Sequence, residues 1–112
     1  MGYYTFYSLD IYKEVDGELD LQLNSDPIID SAIKNIEEES GYGECLFEQE
    51  NKWYEHDDTM RTVSAKYPDL IFALSGSGEE DGDLWRNYYK NGKVQECPAK
   101  IEYDPYDENK LR

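Results

Sequence analysis

The sequence predicts an α+β domain in which two helices lie on one face of an antiparallel or mixed sheet. Two segments carry apolar residues at helical spacing, while several others alternate or run apolar as strands do. The predicted order is β, β, α, β, α, β, β, β, which fits two packed layers, and a ferredoxin-like, split β-α-β arrangement accounts for it best. The length of 112 residues indicates one domain, predicted over residues 1–104, with a short polar tail over 105–112.

The predicted sheet begins with residues 3–12, which are rich in aromatic and β-branched side chains and are expected to form a central strand. An Asp-Gly turn signal follows at 16–17. Leu19, Leu21 and Leu23 then alternate with polar residues. This alternation predicts a half-buried strand or an extended arm that pairs back on the first strand.

The first predicted helix begins at Asp26-Pro27, a capping residue followed by proline at the first helical position, and ends at Gly41. Its apolar stripe is Ile29, Ala32, Ile33 and Ile36. The second is expected over 57–67, capped by Asp57 or Asp58 and stopped by Pro68. Its inward stripe is Met60, Val63, Ser64 and Tyr67. Residues 44–48 between the helices are predicted as a strand that extends as far as Tyr54.

The C-terminal half is predicted to complete the sheet. The apolar run 70–74 indicates an interior strand, and an acidic, glycine-containing loop follows over 75–83. Segments 84–90 and 93–97 flank Asn91-Gly92, which is a strong hairpin signal. A further edge strand is predicted at 100–103.

The charge of the chain restricts its partners. Its 26 acidic and 11 basic residues give a formal net charge of −15, which repels nucleic-acid backbones and anionic lipid and attracts basic proteins. Direct binding to nucleic acid, which needs a basic surface, is therefore not expected. The alternative interpretation is that the charge only keeps the protein in solution, although −15 exceeds the magnitude of roughly 2–8 that suffices for a small domain.

Carboxylates lie where local stability does not favour them. Three glutamates end the first predicted helix, where the helix dipole disfavours negative charge. Three more would share one face of the strand predicted from residue 44, because strand residues two apart, about 6.6 Å from each other, point to the same side. The candidate partner-binding surface is therefore Glu37, Glu38, Glu39, Glu44, Glu48, Glu50, Glu79, Glu80, Asp81 and Asp83. The 11 tyrosines also favour an interface, since they provide contact area at small entropic cost.

Catalytic, cofactor and metal sites are not expected. His56 is interpreted as an exposed histidine near a helix cap, and no nucleophile motif accompanies it. The glycine loop lacks the lysine of a phosphate-binding loop, and an EF-hand register that places Gly82 sixth puts Tyr88 where glutamate is needed. Cys45 and Cys97 are interpreted as buried, reduced side chains, or as a disulfide if their strands are neighbours.

The sequence favours a cytoplasmic protein. No run approaches the roughly 18 apolar residues that span a bilayer. The N-terminal segment also lacks the basic and apolar regions of a signal peptide.

Residues 52–95 resemble small acidic proteins of phages and mobile elements. The shared pattern is a Trp-Tyr pair, an acidic cap, a short amphipathic helix, YPDLIF, an acidic glycine loop, LWRNYY and NGK. Proteins of this kind include anti-CRISPR inhibitors, several of which resemble DNA in charge. The resemblance implies a DNA mimic that acts in a host bacterial cytoplasm.

These observations lead to one main functional hypothesis. The chain is expected to be a non-catalytic inhibitor that binds a basic, nucleic-acid-handling protein, such as a CRISPR-associated effector, through its acidic surface. Two alternatives remain open. One is an immunity or antitoxin protein that neutralises a nuclease toxin, and the other is a self-assembling structural module, including a homodimer.

Overall fold

A computed structural model describes residues 4–22, 26–79, 82–100 and 102–112. Its strands are β1 (Thr5–Val15), β2 (Glu18–Gln22), β3 (Ile71–Gly78), β4 (Leu84–Lys90) and β5 (Lys93–Pro98). Its helices are α1 (Pro27–Ser40) and α2 (His56–Lys66). Short 3₁₀ turns occupy Gly43–Phe47 and Glu108–Lys110. The predicted α+β class is confirmed.

The five strands form one antiparallel sheet in the order β2-β1-β3-β4-β5. β1 is interior, as predicted, and so is β3, which lies between β1 and β4. The sheet order does not confirm a split β-α-β unit, because β1 and β3 are direct antiparallel neighbours. The chain instead makes a hairpin, crosses through both helices, and returns as a three-stranded meander.

Both predicted hairpin turns are present. Asn91 and Gly92 have φ values of 49° and 79°, the positive angles that a two-residue turn between twisted strands requires. Asp16 and Gly17 have the same character, with φ of 53° and 82°. These turns set the registers that pair Lys90 with Lys93 and Val15 with Glu18.

Helix α1 matches its sequence signals. The Asp26 carboxylate accepts a hydrogen bond of 2.9 Å from the Ile28 N–H, Pro27 occupies the first turn, and Gly41 ends the helix with φ of 82°. The predicted stripe faces the core, with Ile29, Ala32 and Ile36 buried and Ile33 partly buried against them.

Helix α2 begins differently from the prediction. It starts at His56, and its N-cap residue Glu55 makes no side-chain capping bond. Asp57 lies inside the first turn and accepts hydrogen bonds from Arg61 and from the Tyr89 hydroxyl. The predicted cap is therefore wrong, because Asp57 joins α2 to β4. The inward stripe is confirmed, with Met60, Val63 and Ser64 buried and Tyr67 partly buried.

The strand predicted from residue 44 is wrong. The segment forms the 3₁₀ turn Gly43–Phe47, and only Asn51 makes a β-bridge, to Thr5. The buried Asn51 amide donates to the carbonyls of Cys45, Leu46 and Gln49 at 3.0–3.2 Å. In a strand, these carbonyls would accept hydrogen bonds from a neighbouring strand. Here the Asn51 side chain satisfies them, so the segment forms a turn.

The predicted edge strand at 100–103 is absent from its described part, since β5 ends at Pro98 and Lys100, Glu102 and Tyr103 are irregular. Ile101 lies outside the described residues, as do Tyr3 and Leu23 of the other strand predictions. Within the described ranges, no helix is both long and apolar enough to cross a bilayer.

The core lies between the helices and one face of the sheet. Tyr7 and Ile11 from β1, Phe72 and Leu74 from β3, and Tyr89 from β4 are buried against the helical layer. The helices therefore occupy one face, as predicted, and the other face of the sheet carries no layer of described residues.

Candidate functional site: an acidic surface on the helical layer

The end of α1 places three carboxylates together. Glu37, Glu38 and Glu39 occupy its last turn, which contains no basic residue. Glu38 and Glu39 are exposed and Glu37 is partly buried. Because the helix C-terminus carries partial negative charge, each ionised carboxylate there costs about 0.3–1 kcal/mol at low ionic strength.

The 3₁₀ turn adds carboxylates to this end of α1. Partial burial raises the pKa of Glu37 above its usual value, and the negative charges of Glu44, Glu48 and Asp30 raise it further. The surface therefore brings together three predicted residues whose charges repel one another. Lys34 opposes this effect but pairs with Asp30 at 3.1 Å.

Asp30 was not among the predicted residues. It lies seven positions before Glu37 on α1, and residues at that spacing share a helix face. Helical periodicity applied to the acidic residues would therefore have identified it. The expectation that Glu44, Glu48 and Glu50 share one face of a strand fails, because they lie on and after a 3₁₀ turn.

A backbone link connects this region to the start of the sheet. Thr5 exchanges two backbone hydrogen bonds of 3.0 Å with Asn51, next to exposed Glu50. On its other side, Thr5 pairs with Gly78, next to Glu79. Since neighbouring strands lie about 4.8 Å apart, Asn51 and Gly78 are separated by only about 10 Å. Glu50 and Glu79 therefore lie close together at the same end of the sheet.

The β3–β4 loop carries the remaining predicted residues. The Glu79 carboxylate accepts a 2.9 Å hydrogen bond from the Tyr4 N–H. Asp83 is partly buried, and its carbonyl accepts from the Gly78 N–H at 2.9 Å. Glu80 and Asp81 lie outside the described residues. The two described acids extend the surface beyond the helical layer.

Few basic side chains interrupt this surface. Residues 26–66, which include both helices, contain eleven acidic and four basic residues. One of the four, Lys52, lies 4.7 Å from the centre of the Tyr4 ring, a cation–π contact. Lys66 reaches Glu39 from α2 at 3.6 Å, but both side chains are about half exposed, so solvent screens the pair. The helical layer therefore remains strongly negative.

His56 belongs to an aromatic cluster and is only partly exposed, contrary to the predicted exposed position. Its Nδ1 lies 3.0 Å from the Trp53 carbonyl, and because a carbonyl only accepts, Nδ1 carries the proton. The imidazole stacks on Trp85 with ring centres 5.0 Å apart. The same carbonyl accepts from the Tyr7 hydroxyl at 3.0 Å. These contacts anchor the start of α2 to the sheet.

The remaining candidate chemical groups are dispersed. Cys45 and Cys97 are both free thiols; Cys45 is exposed and Cys97 is partly exposed, so the predicted buried positions are wrong. Among the residues that the structure describes, no three His, Cys, Asp or Glu side chains are grouped so as to hold a metal ion.

No protein-family model, curated protein or solved structure matches this chain.

Proposed function

We propose that this chain is a non-catalytic inhibitor whose acidic surface occupies the nucleic-acid-binding groove of a basic protein, such as a CRISPR-associated effector nuclease. The acidic surface consists of Asp30, the Glu37–Glu39 turn, Glu44, Glu48, Glu50, Glu79 and Asp83. Arg and Lys side chains that normally bind phosphates would bind these carboxylates instead.

The grouping of carboxylates at the end of α1 is the observation that carries the proposal: the Glu37–Glu39 turn contains no basic residue, and the 3₁₀ turn adds Glu44 and Glu48. Burial and the neighbouring carboxylates raise the pKa of Glu37, at a helix end that already disfavours negative charge. The fold thus holds together charges that oppose its own stability. A cationic partner removes this repulsion on binding, so the arrangement favours a complex over the free protein.

Aromatic side chains beside the acids add contact area. Tyr4 and Tyr54 are 41% and 63% exposed, and Tyr4 lies at the Glu79 end of the acidic surface. Exposed tyrosines pack in the centre of an interface, where they contribute binding energy that charged side chains at the rim do not supply. The proposed interface is therefore electrostatic in its long-range attraction and aromatic in its contacts.

Affinity capture from a lysate that contains CRISPR effectors and other nucleases tests the proposal. The tagged protein is washed at about 0.1 M and then about 0.5 M salt, which shortens the screening length from about 10 Å to about 4 Å. We expect a nucleic-acid-binding protein to be retained in the first wash and released in the second. A partner that lacks a nucleic-acid site, or one held equally at both salt concentrations, contradicts the proposal.

Matched variants assign the contact to the acidic surface. Glu37→Gln, Glu44→Gln and Glu48→Gln together remove three charges from it. Asp16→Asn, Glu18→Gln and Asp20→Asn remove three charges from the exposed tip of the β1–β2 hairpin. The first triple variant should lose the partner, and the control should retain it. Equal losses would mean that total charge, rather than this surface, governs binding.

A further inference from the structure

The uncovered face of the sheet has a different chemistry from the acidic surface. We call it the open sheet face. Its apolar side chains include Phe6, Leu19, Leu21 and Leu84, which are 43–50% exposed, together with partly exposed Tyr12 and Tyr88. The strand registers place all of these side chains on the side opposite the buried Tyr7, Phe72 and Tyr89.

The net charge of this face has the opposite sign to the net charge of the whole chain. Arg86, Lys90 and Lys93 point outward from β4 and β5, whereas the outward acids of the described strands are Asp10 and Glu14 on β1. Lys90 reaches Glu14 at 3.8 Å. A chain of net charge −15 thus presents one face with a small basic excess.

Two grooves open along this face. One, of about 320 Å³, lies beside Phe6, Leu84 and Arg86 and reaches Ala99, where the chain leaves β5. The other, of about 540 Å³, is lined by Leu19, Tyr88 and Lys93 near the two hairpin turns. Each groove combines apolar walls with a basic side chain, which suits an aromatic, acidic segment.

The C-terminal arm, residues 102–112, has the complementary composition. Tyr103, Tyr106 and Leu111 are 90%, 79% and 66% exposed. The acidic residues of the arm are Glu102, Asp104, Asp107 and Glu108, against two basic residues, Lys110 and Arg112. Its aromatic side chains therefore lie in solvent among carboxylates.

Local bonds give this arm a defined shape. The Asp107 carboxylate caps the turn through the Asn109 N–H at 3.0 Å, and Lys110 lies 3.6 Å from Asp104. The chain is also less compact than an average domain of its length, because its radius of gyration is 16.7 Å, compared with about 13 Å. An arm that already holds a turn loses less conformational entropy when it docks.

We propose that the C-terminal arm of each chain docks on the open sheet face of a second copy, forming a two-fold, arm-exchanged dimer. Tyr103 and Tyr106 fill the grooves, and the arm carboxylates approach Arg86, Lys90 and Lys93. Because tyrosines bury about 150–250 Å² each, two reciprocal arms and the surfaces they cover bury about 1,200–2,000 Å² in total. That is the size of a standard stable interface.

This dimer leaves the acidic surface accessible. The helices lie on the opposite side of the sheet from the open face, so the carboxylates on the helical layer of each copy point outward in the dimer. A bivalent arrangement raises affinity for a partner with two basic sites through effective concentration. The dimer does not depend on the proposed inhibitory function, since the carboxylates of the acidic surface take no part in it.

Sedimentation equilibrium of the purified chain tests the dimer. We expect twice the chain mass of 13.1 kDa. Tyr103→Ser with Tyr106→Ser, which alters the arm, and Leu84→Glu, which alters the face, should each give monomers. Ile28→Ser removes a comparably exposed apolar side chain, 55% exposed on α1, and should remain dimeric.

Mixing the two monomeric variants separates arm exchange from sheet-to-sheet packing. The arm variant keeps an intact face and the face variant keeps an intact arm, so the mixture should form a weaker heterodimer through one contact. If Leu84→Glu fails to fold by circular dichroism, Leu19→Glu, which alters the wall of the other groove, serves the same purpose. A monomeric wild-type chain, including one whose arm covers its own face, overturns the proposal. So does a dimer that survives both kinds of variant, or a mixture that stays monomeric.

Discussion

Replacing Glu37 with glutamine should stabilise the protein at neutral pH. Glutamine keeps the size of the side chain and removes a charge from the last turn of α1, where partial burial and then three carboxylates raise the pKa of Glu37. Removing the unfavourable interaction with the helix dipole alone contributes about 0.3–1 kcal/mol. For a domain of this size, that gain raises the melting temperature by about 1–6 °C.

The pH dependence of the stability provides a second test of this prediction. A carboxyl whose pKa is raised on folding destabilises the folded state while it is ionised, at pH values above its folded pKa. The penalty falls as the pH decreases through that pKa and disappears below the ordinary glutamate value of about 4.3. The advantage of Glu37→Gln in urea denaturation should therefore be full at pH 7 and vanish near pH 4.

Asp30→Asn provides the matched control on the same helix. Asp30 lies in the first turn, where the dipole favours a carboxylate, and pairs with Lys34 at 3.1 Å. Its replacement should lower stability at pH 7 by about 0.3–1 kcal/mol, opposite in sign to Glu37→Gln. A destabilised Glu37→Gln variant, or a gain that persists unchanged at pH 4, would refute the electrostatic reasoning.

Two further predictions concern side-chain contacts that stabilise the sheet. Tyr89→Phe removes a buried hydroxyl that donates to Asp57 at 3.0 Å and accepts from Asn87 at 3.3 Å, and should lower the free energy of unfolding in urea by about 1–3 kcal/mol. An unchanged unfolding midpoint would mean that this network does not fasten α2 to β4. Gly76→Ala would place a methyl group against the indole of Trp85 and should cost about 1–3 kcal/mol. A free energy of unfolding in urea equal to that of the wild-type chain would show that the Trp85 indole moves aside without cost.

The sequence predicts the elements whose signals are local. Asp26-Pro27 and Gly41 bound α1 within a residue, and Asn91-Gly92 defines the β4–β5 hairpin, because capping and positive φ values are properties of a few adjacent residues. The segment around Leu46 shows the limit of this reasoning. A short apolar run does not distinguish a strand from a turn. Here the segment forms a turn because the Asn51 side-chain amide donates hydrogen bonds to three of its carbonyls.

The candidate site was predictable in composition but not in arrangement. The glutamates at the end of α1 lie where the helix pattern placed them. Their proximity to Glu44 and Glu48 depends on the 3₁₀ turn folding against α1, which no local signal indicated. The separate chemistry of the open sheet face emerges only from strand register, because register decides which alternate residues share a side.

Competition between this protein and nucleic acid for the captured partner tests the central claim most directly. The partner is bound to a labelled oligonucleotide at about 0.1 M salt, where surface charges still interact over about 10 Å, and titrated with the protein. We predict complete displacement by the wild-type chain, weak displacement by the Glu37, Glu44 and Glu48 triple variant, and full displacement by the β1–β2 hairpin control. A ternary complex in which the partner holds both oligonucleotide and protein would contradict the claim that the acidic surface takes the place of nucleic acid.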